Sequence, residues 1–363
     1  MKMEKIRDVL LIASVVVVGT FAFSLVAFVL TQDKFSSVLD IWNRWDAPHY
    51  IDIAKNWYQT EGDASNLIVF FPLYPLLIKL VALLFKNYVV SALVVSNIAY
   101  AVAAYYLYAL VRLDYSRKNA LRAVFYFSIF PTAYFLHAGY TESLFIALST
   151  ASFYYARKEN WLASAVFGSF ASATRISGIL LLPSLVLEYL LQKRFQLKQI
   201  RREFLWLAII PLGLLVHVGI NYALFGNPFQ FMQVLSVHWG KHFAFPWTGF
   251  LSAWGRMLWG SPSGRIMTGA AEVAFGIVSF AFAIYALVRQ RISYGFYAVA
   301  TSLLVTSTSY WQGIPRYSLA IFPMFLALSS FERRSEINYG IMFISLLLYG
   351  LFLTAFINGW WAF

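Results

Sequence analysis

Apolar runs dominate this chain, and they are too long and too evenly apolar to be single faces of a soluble fold. Residues 9–32 hold no charged side chain. As a helix that stretch would reach roughly 36 Å at ~1.5 Å per residue, enough to cross a bilayer. Lys2, Lys5 and Arg7 precede it. A cleaved signal peptide has an apolar region of only about 7–15 residues and a small-residue cleavage site. The pattern therefore predicts an uncleaved anchor with a cytoplasmic N-terminus.

Further apolar runs fall near 67–86, 88–111, 120–136, 143–156, 161–174, 176–191, 204–225, 265–288, 294–309, 316–330 and 339–357. The run at 67–86 is ambiguous, because Pro72, Pro75 and Lys79 interrupt it. If it crossed the membrane, the basic loops that follow would lie outside. If it lies in the outer interface, eighteen of the 28 Lys and Arg residues face the cytoplasm. They form six groups: the N-terminal three; Arg112, Arg117, Lys118 and Arg122; Arg157 and Lys158; the five between Lys193 and Arg202; Arg289 and Arg291; and Arg333 and Arg334. The positive-inside rule favours that choice. The expected architecture is an all-α polytopic membrane protein of about eleven spanning helices, with the N-terminus inside and the C-terminus outside. Twelve spans is the alternative. Two long outer segments, 32–87 and 226–264, offer enough polypeptide to build a site. With no internal repeat visible, residues 1–363 are expected to form one membrane domain.

Composition agrees. Hydrophobic residues make up 60% of the chain and charged ones 12%, about half the ~25% of soluble domains. The net charge of +12 is spread over short clusters between apolar runs, which reads as membrane topology and not as a nucleic-acid groove. With no cysteine, disulfides, Cys-ligated zinc, iron–sulfur clusters and thiol nucleophiles are excluded.

The densest polar cluster is Trp42-Asn43-Arg44-Trp45-Asp46-Ala47-Pro48-His49-Tyr50-Ile51-Asp52-Ile53-Ala54. Its aromatic rings suit a helix at headgroup level. Asp46, His49 and Ile53 are spaced to share one helical face, and Pro48 suits an early helical turn. A carboxylate and an imidazole there form a candidate acid/base pair; the alternative is an interfacial helix whose acids merely face water. In Phe70-Phe71-Pro72-Leu73-Tyr74-Pro75, the prolines forbid a regular helix at the start of the segment. Lys79 beyond it either reaches a phosphate or snorkels. In His137-Ala138-Gly139-Tyr140-Thr141-Glu142-Ser143, Glu142 is either a second functional acid or a partner for a helix N-terminus. Arg175, in Thr174-Arg175-Ile176-Ser177-Gly178, and Arg316, in Pro315-Arg316-Tyr317, are boundary arginines. Each pairs with a carboxylate or takes a ligand phosphate.

Weaker signals carry less. His238 and His242 lack the glutamate of a zinc-protease helix and are not expected to bind metal. Trp239, Trp247, Trp254 and Trp259 read mainly as interface anchors, with a sugar-stacking platform as the alternative. Glu188 and Glu272 are expected near helix ends or paired within the bundle. No Walker A motif or Rossmann fingerprint occurs, so ATP-driven transport is not expected of this chain.

Taken together, Trp45 to Ala54, Phe71-Pro72-Leu73-Tyr74-Pro75, Tyr140 to Phe145, Thr174 to Gly178 and Pro315-Arg316-Tyr317 resemble the PIG-V mannosyltransferase family of the GT-C membrane glycosyltransferases. The resemblance covers roughly 42–190 and returns at 310–328. It implies a GT-C fold, a mannosyl donor on a polyprenyl or dolichyl phosphate, a glycan or glycolipid acceptor, and an outer or lumenal site. It also implies that Asp46 is the catalytic base. Arg175, Arg316, Lys79 and His49 become candidates for the donor phosphate. Arg44, Tyr50, Asp52, Tyr74, Glu142 and Tyr317 become candidates for substrate support. No metal or cofactor is expected, and the partners are membrane lipids and the two substrates, not nucleic acid. One departure is Trp57-Tyr58, where the family pattern implies Gly-Tyr. It leaves open how the helix after the acidic motif ends. The rival class is a multi-pass lipid or sugar transporter that uses the same charges as ligands. Such proteins often show inverted repeats and midplane charges, whereas here the charges gather near the outer boundary.

Overall fold

The protein, represented by a computed structural model, is described over residues 2–30, 37–330 and 335–363. Gln32, at the end of the first run, and the basic pair Arg333 and Arg334 lie outside the described residues, as do the side chains of Lys2 and Lys5. In chain order the helices are α1 (Lys2–Leu30), α2 (Ala47–Asn56), α3 (Leu73–Phe85), α4 (Tyr88–Val111), α5 (Arg117–Ser128), α6 (Glu142–Arg157), α7 (Trp161–Ser172), α8 (Leu181–Gln192) and α9 (Leu212–Phe225). There follow α10 (Gln230–Val237), α11 (Pro246–Trp259), α12 (Pro262–Gly264), α13 (Ala271–Arg289), α14 (Ile292–Thr306), α15 (Ile314–Tyr317), α16 (Pro323–Ser330) and α17 (Ser335–Ile357). Among the described residues there is no strand, only an isolated antiparallel bridge between Phe243 and Thr308.

The all-α expectation therefore holds. Among the described residues, five helices are long and apolar enough to cross a membrane: Arg7–Leu30, Tyr88–Val111, Arg202–Phe225, Pro262–Arg289 and Glu336–Ile357. The remaining apolar runs are shorter or broken, and proline is the main cause. Pro131 follows the end of α5, and the chain continues as a 3₁₀ turn at Ala133–Leu136. Even within the span Arg202–Phe225, Pro211 separates a 3₁₀ stretch, Arg202–Ile209, from α9. Pro323 opens α16 after the run beginning at 316 has already broken. In each case the ring removes a backbone donor and clashes with the preceding turn. The run at 67–86 breaks as its prolines predict. Asp63–Val69 and α3 meet at 111° across Phe70-Phe71-Pro72, and a sixth span results if that bent pair counts as one.

The chain divides into two compact units. The first comprises residues 1–55, 74–147 and 325–363. Here α1, α4, α5 and α17 pack together through polar contacts between apolar faces. Thr20 and Tyr349 hydroxyls lie 2.6 Å apart, Tyr126 donates to Asn338 at 2.8 Å, and Ser345 donates to the Ile129 carbonyl at 2.7 Å. Between membrane helices such contacts are each worth ~0.6–2 kcal/mol. Tyr134, Phe135, Tyr140 and Phe356 form an aromatic core with ring centroids 4.6–6.5 Å apart.

The second unit comprises residues 56–73 and 148–324. Its α13 and α14 form a closely packed hairpin beside α8. Glu188 of α8, expected near a helix end or paired, is paired. Its fully buried carboxylate takes Arg291 Nε at 2.6 Å and Nη2 at 2.8 Å, and Ser293 Oγ at 2.7 Å. Arg157 stands 3.6 Å away. A buried carboxylate is tolerated only with such partners. Glu188→Leu leaves both arginines without their anion and should cost about 3–5 kcal/mol. Thermal unfolding in lipid nanodiscs should show a large drop in Tm, with much of it restored by adding Arg291→Leu.

Candidate active site

The acidic motif belongs to the first unit. Asp46 stands immediately before α2, and its carbonyl accepts the first helical hydrogen bonds, from His49 N at 3.1 Å and Tyr50 N at 3.2 Å. It thus takes the position that starts the helix, where a carboxylate is favoured, with Pro48 in the first turn as expected. Tyr140 fixes the turn that leads into it. The Tyr140 hydroxyl donates to the Arg44 carbonyl at 2.8 Å and accepts from Asp46 N–H at 3.3 Å. Trp45, between these two contacts, has φ = 55°. That left-handed conformation is costly for a bulky residue, and the hydrogen bonds to Tyr140 on either side hold it.

A relay of hydroxyls supports Tyr140. Ser96 of α4 donates to the Tyr140 carbonyl at 3.2 Å and lies 2.7 Å from the Tyr74 hydroxyl. Tyr74 stands edge-on to Tyr50 at 5.2 Å. Three of the expected residues, Asp46, Tyr50 and Tyr74, thus join Tyr140 in one assembly. His137 is fully buried, and burial pushes its pKa down to about 3. Asn97 Nδ2 donates to the Leu93 and His137 carbonyls, so Asn97 Oδ1 must accept the hydrogen bond from His137 Nδ1 at 3.0 Å. Glu142 is buried as the first residue of α6, the place its capping role predicts. His49 and Asp52 are half-buried on α2. Burial lowers the pKa of the half-buried Arg44, opposed by Asp40. Lys79 lies on the exposed face of α3 beside Leu76, Leu80 and Leu83.

The cations belong to the second unit, where they converge on one ring. The Tyr317 ring centroid lies 5.0 Å from the Arg316 guanidinium carbon, 5.2 Å from that of Arg175 and 5.4 Å from Lys241 Nζ. Each contact with the ring face is worth ~0.5–2 kcal/mol.

The Tyr317 turn is held from beneath. Glu272 of α13 accepts Gly313 N–H at 2.6 Å and Ile314 N–H at 2.9 Å. Gly313 has φ = 91°, a conformation that disfavours any side chain. Trp311 is buried, and its indole donates to the Thr306 carbonyl at 2.9 Å. It fits only because Gly249 and Gly276 lack side chains, since a Cβ at either would collide with the indole. Arg256 donates to the carbonyls of Trp311 at 2.5 Å and Thr268 at 2.8 Å. Burial lowers its pKa, opposed by Glu272 and Tyr310.

Lys241 was not among the expected site residues. The second long segment carries it to Tyr317 by pairing with the chain after α14. Ser309 N–H donates to the His242 carbonyl at 3.0 Å, Ala244 N–H to the Ser307 carbonyl at 3.3 Å, and the Tyr310 hydroxyl to the Trp239 carbonyl at 2.7 Å. No local pattern announces this clasp; the only signal was the length of the segment. Arg175 follows the end of α7, and the same break receives the proline motif, as Leu73 N–H donates to the Ala173 carbonyl at 3.2 Å.

Comparison with known proteins adds the family context. Residues 71–220 match the family model for dolichyl-phosphate-mannose-protein mannosyltransferases. GPI mannosyltransferase 2 of Schizosaccharomyces pombe is 30% identical over 149 residues, which are 40% of this chain and 31% of that protein. The fold is similar to that of ArnT from Cupriavidus metallidurans, solved bound to undecaprenyl phosphate. That match has a TM-score of 0.57 at 15% identity and covers 93% of this chain and 63% of the other. The chain thus spans less than two thirds of the length of these relatives. The matches bear out the resemblance read from the motifs and the assignment as an integral membrane protein.

The family departure at position 57 has a local explanation. Helix α2 ends at Asn56, and Trp57 adopts φ = 63°, the left-handed conformation that glycine most often supplies after a helix. Trp57→Gly should therefore be more stable than Trp57→Ala by about 1 kcal/mol. The two variants lose the same indole contact with Tyr58, so their difference in Tm isolates the backbone cost. Equal Tm values would refute this account.

Proposed function

We propose that the chain is a GT-C membrane glycosyltransferase of PIG-V-like kind, similar to the matched family and relative, and that it moves a hexose, mannose, from a polyprenyl or dolichyl phosphate to a hydroxyl of a glycan or glycolipid. The observation that carries this reading is the set of cations on Tyr317. Arg175, Arg316 and Lys241 gather on one ring, and a lipid-linked phosphate suits both their charge and the membrane setting.

In this reading Asp46 takes the proton from the acceptor hydroxyl. The hydroxyl oxygen forms a bond to the anomeric carbon as the bond from that carbon to the phosphate oxygen breaks. The electron pair leaves with the lipid phosphate, whose added negative charge Arg175 and Arg316 stabilise. A single in-line displacement inverts the anomeric configuration. Tyr140 keeps the Asp46 turn in place, and His49 and Lys79 assist at the phosphate. Tyr50, Tyr74, Asp52, Arg44, Glu142 and Tyr317 support the substrates. The reaction takes place on the outer or lumenal face of a single membrane domain. That domain has eleven spans, a cytoplasmic N-terminus, and the bent segment around Pro72 lying in the interface.

The test uses purified protein in nanodiscs with labelled mannosyl and glucosyl polyprenyl phosphates and a glycolipid extract. Asp46→Asn should lower kcat by about 10²–10⁴ while leaving Tm and donor KM near wild type. Arg175→Ala and Arg316→Ala should instead raise donor KM as well as lower kcat. Retention of most turnover by folded Asp46→Asn would remove the base role.

A further inference from the structure

A second candidate binding site lies beside the cations, and its chemistry differs from theirs. Helix α10 turns Gln230, Gln233, Val234 and Val237 to one face by the usual spacing of three and four residues. Together with Asn66 and His238 they line an open surface cavity of about 310 Å³, in which Gln233, Val237 and His238 are exposed. That volume is the low end of the ~300–1,000 Å³ typical of small-molecule sites. No carboxylate, ammonium or guanidinium group lines it. Asn227 Nδ2 donates to Gln230 Oε1 at 3.2 Å and Gln233 Oε1 at 3.1 Å. Each glutamine oxygen thus uses one of its two lone pairs, and the NH₂ groups remain as donors. Among the described residues, no side-chain hydrogen bond uses these NH₂ groups or the Asn66 amide.

Such a wall is ill-suited to a phosphate and well suited to a neutral polyhydroxylated ring. Carboxamides offer donors and acceptors together, matching hydroxyls that are both. The valines suit the C–H faces of a sugar. The position also fits a role in transfer. His238 lines the cavity, and Lys241, three residues on, reaches Tyr317. An extended chain covers at most ~3.3–3.6 Å per residue, so the neutral cavity adjoins the cation cluster. The intervening strip is fixed by Lys241 N–H donating to the Leu235 carbonyl at 3.0 Å and by the Tyr310 contact to Trp239.

We infer that this cavity binds an uncharged sugar ring of the acceptor, with Asn66, Gln230 and Gln233 as its hydrogen-bonding residues. The ligand's role as acceptor rests on the transferase reading; the existence of a neutral-sugar site does not. The probe is methyl α-mannoside, with inorganic phosphate as the charged control, titrated against the protein in nanodiscs free of glycoside detergents. Calorimetry should show saturable mannoside binding that Gln230→Ala, Gln233→Ala and Asn66→Ala each weaken by roughly tenfold, the loss expected for a desolvated hydrogen bond. Val237→Trp, which fills the space, should abolish binding. With labelled mannosyl polyprenyl phosphate, the same variants should raise the mannoside KM and leave donor KM unchanged. Arg175→Ala should lose transfer yet bind mannoside as wild type does.

Absence of mannoside binding by the wild type overturns the proposal. So does wild-type affinity in all the cavity variants, or an effect on donor KM alone. If the wild type binds mannoside but transfers nothing from any lipid-phosphate sugar, the cavity stands as a sugar site and the transferase reading falls.

Discussion

The second unit turns on one carboxylate. Glu272 sits on a helix of membrane length and accepts the N–H groups of Gly313 and Ile314. Those groups open the short helix that carries Arg316 and Tyr317. A buried carboxylate needs donors, and the first turn of a helix has N–H groups with no internal partner. Each requirement satisfies the other, and a flexible turn becomes a fixed one. Arg256 adds a second tie through the Trp311 carbonyl, and the indole of Trp311 fills the space below. The turn that carries the Tyr317 ring, on which Arg175, Arg316 and Lys241 gather, is thereby fixed.

The first unit uses the same device with neutral groups. Tyr140 is buried, and its hydroxyl bridges the Arg44 carbonyl and the Asp46 N–H. In both units the turn that carries the residue of chemical interest is held through its backbone. Where the protein needs only stability, as at Glu188 with Arg291, it uses the ion pair directly.

This difference explains what the sequence revealed. Asp46, Arg175 and Arg316 were legible because a charge beside an apolar run is costly and so calls for a reason. Tyr317 followed from its neighbour. The helical class and the break at Pro72 were legible because hydropathy and proline act locally. Lys241 was not, since it reaches Tyr317 only after residues 239–244 pair with 307–310, and that pairing has no local signature. Glu272 was expected near a helix end or in a pair, but its partners are backbone groups, which composition cannot specify. The amide-lined cavity escaped notice because Gln230 and Gln233 look like the solvated side of a short helix until Asn66 closes the wall.

The shortened helices belong to the same account. Irregular backbone at membrane depth is tolerated only when it is buried in protein or lines a cavity, because lipid offers no hydrogen bonds. Yet this chain spends prolines and glycines freely inside its apolar runs, and the candidate residues gather at those interruptions. Arg175 lies between α7 and the 3₁₀ turn that leads to α8, Arg316 lies in the four-residue α15, and the Pro72 break donates to the carbonyl of Ala173 beside Arg175. An unbroken helix would satisfy its own backbone and present these side chains to lipid. A broken one turns its end inward, frees N–H groups for Glu272 and places a guanidinium where an anion can meet it. The apolar runs are thus full in composition but short in helix because the cost of each break is offset by the polar group it positions.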